Sequence, residues 1–162
     1  VHEKHSDNKD LPRFAGWWNH NKETRFNMRQ PFDVMEGAEG WQLSNPPILS
    51  MAAIKASLDM FDEVGMDALR EKSEKLTGYF EFLINEIGSD DIKIITPKNP
   101  KERGCQLSIQ VKNADKSLHK KLTENNIITD WREPDVIRCA PVPLYNSFED
   151  VYRMVSILKG LL

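Results

Sequence analysis

The most informative charged residue is Arg138, which lies in the middle of the short apolar run 136–140. Alternation in this run predicts a β-strand with Arg138 on one face and Ile137 and Cys139 on the other. Because a buried unpaired charge is costly, the guanidinium must meet an anion or reach water. Two partners remain open: a carboxylate within the protein, or a ligand carboxylate bound by the planar guanidinium through two hydrogen bonds.

Asn45 is the second candidate, because it precedes Pro46 and a run with helical periodicity. Asparagine is a favoured N-cap and proline suits the first helical position, so a helix is predicted to begin at Pro46. Its apolar positions recur every three or four residues, at Met51, Ile54, Leu58 and Phe61. Asn45 is therefore either a plain helix cap or a polar contact for an anionic ligand at the helix start.

An aromatic loop precedes this helix and holds Trp17, Trp18, Trp41 and His20. Large aromatic side chains without periodicity have little local core, so we expect them to pack on surface outside this chain. The tandem tryptophans either stack on a flat cofactor or fill an interface. His20 is either a hydrogen-bonding or acid–base group, or a packed structural residue.

The sequence gives little support for a metal site, a disulfide, nucleic-acid binding or a membrane span. His2, His5 and His119 lack metal-ligand partners at suitable spacing, and no metal site is predicted. Cys105 and Cys139 have no CxxC spacing, which is typical of reduced thiols in a cytoplasmic protein. A net charge of −3 gives no electrostatic reason to expect nucleic acid or an anionic membrane as partner. No apolar run approaches the roughly 18 residues of a membrane span.

The elements that position these residues indicate an α/β chain, with an α+β small domain at its end. A long bent helical stretch, broken near Gly65 and ending at Gly88, is followed by a small, mainly antiparallel sheet backed by helices on one side. The predicted strands are 92–96, 106–111, 127–130 and 136–140, and Asp115 and Ser147 are predicted to cap two helices. We predict three parts: a loop-rich segment 1–45, an interdomain helical segment 46–88, and a small domain 89–162.

Several of these segments together resemble the C-terminal part of kynureninases. They are FAGWWNH at 14–20, TRF at 24–26, LSNPPIL at 43–49, LTGY at 76–79 and RCAPVPLYNSF at 138–148. The resemblance follows the family in order and spacing and covers essentially all 162 residues. It implies the aspartate-aminotransferase fold type of pyridoxal 5′-phosphate enzymes, working as homodimers with shared active sites.

The resemblance also implies an activity and site residues. The family hydrolyses kynurenine or 3-hydroxykynurenine to anthranilate or 3-hydroxyanthranilate and L-alanine, in tryptophan breakdown and the route to NAD. By resemblance, Trp17 and Asn45 contact the cofactor, Asn45 borders the aromatic end of the substrate, and Arg138 binds its α-carboxylate. His20 would lie nearby. Asn19 stands where the family is expected to have glycine, and asparagine tolerates positive φ better than most residues.

The lysine that attaches to the cofactor is expected in a part of the family chain before Val1. This chain would then be a C-terminal piece that is inactive alone and needs the missing N-terminal portion as a partner. Two alternatives remain open: another enzyme of the same cofactor fold, such as a cysteine desulfurase or an aminotransferase, or a non-catalytic α/β module.

Overall fold

The computed structural model describes residues 1–27 and 31–162. Its helices are α1 (Ile48–Val64), α2 (Met66–Asn85), α3 (Lys116–Glu124) and α4 (Phe148–Leu161), and its strands are β1 (Ile92–Ile94), β2 (Leu107–Val111), β3 (Asp130–Arg132) and β4 (Val136–Cys139). The chain divides into two compact units, Val1–Met60 and Phe61–Leu162, which we describe separately. The division into parts at residues 45 and 88 stays a prediction.

The second unit is built on a four-stranded antiparallel sheet with the order β1-β2-β4-β3. In the register, Ile109 lies opposite Ile94 on one side and Ile137 on the other, and Ile137 lies opposite Trp131. These side chains project to one face of the sheet, because alternate residues of a strand share a face. The predicted small antiparallel sheet, with the first two strands as neighbours, is confirmed.

That apolar face forms the core together with three helices. The buried set comprises Leu76, Phe80 and Ile84 of α2, Leu118 and Leu122 of α3, Val151, Met154, Val155 and Leu158 of α4, and the inward residues of β2 and β4. The opposite face, called here the polar face, carries Lys93, Ser108, Gln110, Asp130 and Arg138. A sheet backed by helices on one side is therefore confirmed.

Helix α1 begins at Ile48, two residues later than predicted. A residue that precedes proline is pushed out of the α region, so Pro47 keeps Pro46 extended. The Pro47 carbonyl accepts the first helical bond, from the Met51 amide at 2.9 Å. The end is as predicted, because Gly65 follows Val64 with φ +80°. None of the residues of α1 is buried by the described part of the chain.

Strand β3 also differs from expectation, since it begins at Asp130 rather than Ile127. The Ile127 amide donates to the Leu122 carbonyl at 2.9 Å, which ties this segment to the end of α3. The Thr129 carbonyl lies 3.1 Å from His119 Nε2. Residues 127–129 therefore complete the α3 connection, and the sheet pairing starts only after them.

The helix caps predicted at Asp115 and Ser147 are confirmed. The Asp115 carboxylate accepts from the Ser117 amide at 2.7 Å at the start of α3. At the start of α4, the Ser147 hydroxyl accepts from the Asp150 amide at 3.1 Å, while the Asp150 carboxylate accepts from the Ser147 amide at 2.8 Å. In the described residues, no helix is both long and apolar enough to cross a membrane.

Candidate functional site

Strand β4 directs Arg138 away from the core. Its neighbours Ile137 and Cys139 are 0% and 6% exposed and point into the apolar core. The strand therefore cannot rotate without exposing them, and its pleat places the Arg138 side chain on the polar face. There Arg138 stands between Ser108 of β2 and Asp130 of β3, in one row across three strands.

Asp130 is the internal partner of Arg138. Arg138 Nε donates to Asp130 Oδ2 at 2.6 Å, and Nη2 donates to the same oxygen. Arg132 Nη2 lies 3.2 Å from that oxygen. The hydrogen bonds from Arg138 hold the pKa of the Asp130 carboxyl below its usual range, with the Arg132 charge acting in the same direction. The carboxylate is therefore ionised at neutral pH.

This pair leaves both side chains in contact with solvent. The Arg138 side chain is 32% exposed and that of Asp130 is 47% exposed. Of the two partners left open by the sequence, the internal carboxylate is present. The ligand carboxylate stays a prediction, and the partial exposure of the guanidinium is what such a ligand requires.

Asn45 is positioned by the aromatic loop. Its Oδ1 accepts a hydrogen bond from Trp18 Nε1, and it lies three residues before α1 begins. The prediction that Asn45 caps the helix is therefore wrong, because the Pro46–Pro47 pair delays the helix. The Asn45 amide nitrogen still has donors to offer a ligand.

Trp18 is itself held by a buried cation. The Arg25 guanidinium carbon lies 4.7 Å from the centre of the Trp18 ring, and Arg25 is only 6% exposed. Arg25 Nη2 also donates to the His20 carbonyl at 3.3 Å. A similar cation–π pair joins Arg13 to Trp41, at 4.1 Å. Among the described residues of this loop, both arginine–tryptophan contacts therefore pack side chains that no buried apolar cluster covers.

Trp17 projects into solvent, with 55% of the residue exposed. Its ring meets Phe26 edge-on, with the ring centres 5.5 Å apart. Phe26 is itself 66% exposed, so this aromatic pair has little cover within the described chain. The expectation that the loop lacks a local core holds for Trp17 and Trp18, whereas Trp41 is half-buried.

His20 forms a local network. Its Nδ1 accepts from the Asp33 amide at 3.3 Å, and its Nε2 lies 3.3 Å from Thr24 Oγ1. An accepting Nδ1 places the proton of a neutral ring on Nε2, where it is donated to the Thr24 hydroxyl. Both ring nitrogens are thus engaged within the loop, which favours the structural interpretation of His20. Its role beside a substrate stays a prediction.

Asn19 is a structural residue whose importance the sequence did not indicate. It is fully buried, its Oδ1 accepts from the Gly16 amide at 2.8 Å, and its Nδ2 donates to the Phe14 carbonyl at 2.8 Å. The φ angle of Asn19 is not positive, so asparagine is not needed here to adopt a left-handed backbone conformation. A β-carbon at Gly16 would lie 2.2 Å from the Leu43 carbonyl oxygen, so close backbone packing there requires glycine.

The second unit also has a cavity of about 410 Å³. It lies near the Cys139 end of β4, and Thr129, Tyr145 and Arg153 are among its lining residues. Arg138 is not among them, because it projects to the opposite face of the sheet. The cavity is therefore separate from the predicted carboxylate contact.

Solved structures of low sequence identity share this fold. An apo cysteine desulfurase from Thermococcus onnurineus NA1 matches with a TM-score of 0.71 at 15% identity, over 99% of this chain and 41% of the other. The cystine C–S lyase C-DES, solved with its reaction product cysteine persulfide, matches with a TM-score of 0.68 at 16% identity, over 91% of this chain and 38% of the other.

Sequence comparison is far more specific. A kynureninase of Myxococcus xanthus is 56% identical over 160 residues, and one of Flavobacterium johnsoniae is 55% identical over 162. These matches cover 99% and 98% of this chain but only 38% of each relative. The family model for the kynureninase C-terminal domain matches residues 69–158. The chain spans well under half of the curated relatives it matches, and it belongs to the kynureninase C-terminal domain family.

Proposed function

We propose that this chain provides the substrate-orienting part of a kynureninase. The reaction would be hydrolysis of L-kynurenine or 3-hydroxykynurenine to anthranilate or 3-hydroxyanthranilate and L-alanine, within tryptophan breakdown and NAD biosynthesis. The enzyme would be a cytoplasmic homodimer that includes the N-terminal portion present in the relatives. The high identity to curated kynureninases along nearly the whole chain supports this assignment.

The observation that carries the proposal is the position of Arg138. Its guanidinium is held at the centre of the polar face by a neighbouring strand, yet it stays partly exposed. An amino-acid substrate has an α-carboxylate, which guanidinium binds in a planar geometry. Arg138 would hold that carboxylate and so fix the orientation of the α-carbon.

The residues of the first unit fit a flat, anionic cofactor. Trp17 offers an exposed indole that can lie against an aromatic ring, and Asn45 keeps its amide donors while Trp18 fixes its oxygen. Pyridoxal 5′-phosphate, when bound, supplies the electron withdrawal that weakens bonds at an amino-acid α-carbon. Trp17 and Asn45 would help to hold it, and His20 would support the loop between them.

The test is a chimera in which this chain replaces the matching C-terminal portion of the Myxococcus xanthus kynureninase. We expect it to release anthranilate from kynurenine, measured by fluorescence, and to leave cysteine and keto acids unchanged. Turnover of cysteine or a keto acid in place of kynurenine would support another enzyme of this cofactor fold. A chimera that binds the cofactor but turns over none of these substrates would contradict the proposal.

Arg138→Leu in this chimera tests whether Arg138 binds the substrate carboxylate. Loss of a charge-assisted, two-bond contact should raise KM for kynurenine by roughly thirty- to a hundredfold, while the visible absorbance of the cofactor is unchanged. Lys93→Leu is the matched control, since it removes a cation from the same polar face. An unchanged KM in Arg138→Leu would remove Arg138 from the binding site.

A further inference from the structure

Asp130 binds only one side of the Arg138 guanidinium. A guanidinium presents two edges that can each bind a carboxylate: one formed by Nε and Nη2, the other by Nη1 and Nη2. Asp130 occupies the Nε–Nη2 edge, through a 2.6 Å bond from Nε and a second bond from Nη2. Within the described residues, all hydrogen bonds of this guanidinium go to Asp130 and leave the Nη1 edge to other acceptors.

The backbone fixes the position of Asp130. It lies directly opposite Arg138 in the β3–β4 register, so the two side chains project side by side on the polar face. Asp130 Oδ2 is also 3.2 Å from Arg132 Nη2 on its own strand. Two cations therefore hold the carboxylate, and the carboxylate in turn restrains the rotation of the Arg138 side chain.

We propose that Asp130 is a positioning residue, which holds the Nε edge of Arg138 so that the Nη1 edge faces a ligand carboxylate. This inference rests on the proposed function, in which Arg138 receives the substrate. An arginine side chain has several rotatable bonds, and ordering it in advance lowers the entropy lost on binding. The opposite possibility is that Asp130 competes with the ligand for Arg138. The two ideas predict opposite changes in affinity.

The test uses the chimera described above with Asp130→Asn, which keeps the shape of the side chain and removes its charge. We expect KM for kynurenine to rise about tenfold with kcat changed less than about twofold, because one charge-assisted contact is lost. Asp130→Glu should recover part of the affinity. Asp135→Asn is the matched control: it removes a carboxylate in the turn between β3 and β4 that accepts hydrogen bonds from Gln110 of β2, and it should leave KM unchanged.

Crystal structures of the chimera provide a readout that is independent of turnover. In Asp130→Asn the Arg138 guanidinium should leave its position while the β3–β4 pairing stays intact, and in Asp135→Asn it should stay. A guanidinium that does not move in Asp130→Asn would overturn the proposal, whatever the activity.

The kinetic outcomes separate the two proposals. If Arg138→Leu raises KM while Asp130→Asn leaves it unchanged or lowers it, the positioning role is wrong and the carboxylate contact stands. If neither variant changes KM, Arg138 does not bind the substrate carboxylate, and both this contact and the positioning role of Asp130 are wrong. A rise in both variants, without a rise in Asp135→Asn and with a displaced Arg138 guanidinium in Asp130→Asn, supports both.

Discussion

Replacing Asn19 by alanine should loosen the aromatic loop. The side chain is fully buried and makes two hydrogen bonds of 2.8 Å, one from the Gly16 amide and one to the Phe14 carbonyl. A typical intramolecular hydrogen bond contributes about 1 kcal/mol net, so the loss of both costs about 2 kcal/mol. Since 1.4 kcal/mol is a factor of ten, the equilibrium for local opening should rise roughly thirtyfold.

Amide hydrogen exchange of the wild-type chain and the variant measures this effect directly. The Gly16 amide loses its acceptor in Asn19→Ala, so its protection factor should fall by about the same factor. Asn8→Ala is the matched control, because Asn8 is exposed and its side chain accepts only from the nearby Asp10 amide among described residues. Protection at Gly16 that changes by less than twofold, or falls equally in both variants, would refute the reasoning.

Three further predictions concern the second unit. Ile137→Ala should lower the free energy of unfolding by about 2–4 kcal/mol, against less than about 1 kcal/mol for Val136→Ala on the polar face, as measured by urea denaturation. The hydrogen bond from the Ser147 amide lowers the pKa of the Asp150 carboxyl. The stability that Asp150 contributes is therefore present above its unfolded-state pKa and is lost as the pH falls through its folded-state pKa. Urea unfolding from pH 7 to about 2 should show the free energies of unfolding of wild type and Asp150→Asn becoming equal in acid. Burial raises the pKa of the Cys139 thiol to about 12, so iodoacetamide at about pH 8 should modify the half-exposed Cys105 and spare Cys139, as read by mass spectrometry.

Regular elements were predictable where the sequence itself encodes their period. Alternation around Ile137 gave strand β4 and the face of Arg138, and the Ser147–Asp150 pattern gave the start of α4. The errors occurred where a neighbour changed the local rule. Pro47 delayed α1, and bonds to α3 took Ile127 out of the sheet. The effect of Pro47 on Pro46 could have been predicted from the sequence, whereas the bond that ties Ile127 to Leu122 exists only once α3 has formed.

The candidate site was less predictable than the fold. Strand alternation, the helix start and the aromatic loop singled out Arg138, Asn45 and Trp17 as candidates. The resemblance assigned each of them a ligand, and those ligand contacts stay predictions. The partner of Arg138 depends on the β3–β4 register, which places Asp130 directly opposite it. A one-residue slip would send that carboxylate to the other face of the sheet. The displaced start of β3 shows why this register was beyond the sequence.

The structure also changes the question that Arg138 raised. On the sequence alone, an internal carboxylate and a ligand carboxylate were treated as alternative partners of Arg138, which assumes that the guanidinium binds a single anion. Asp130 uses the edge formed by Nε and Nη2, and a guanidinium has a second edge of comparable geometry. An internal partner that binds one edge and keeps the side chain partly exposed is compatible with a ligand at the other. Neutralisation of Arg138 within the fold is therefore no argument against its role in binding, and the direction of the KM change in Asp130→Asn decides whether the two carboxylates cooperate or compete.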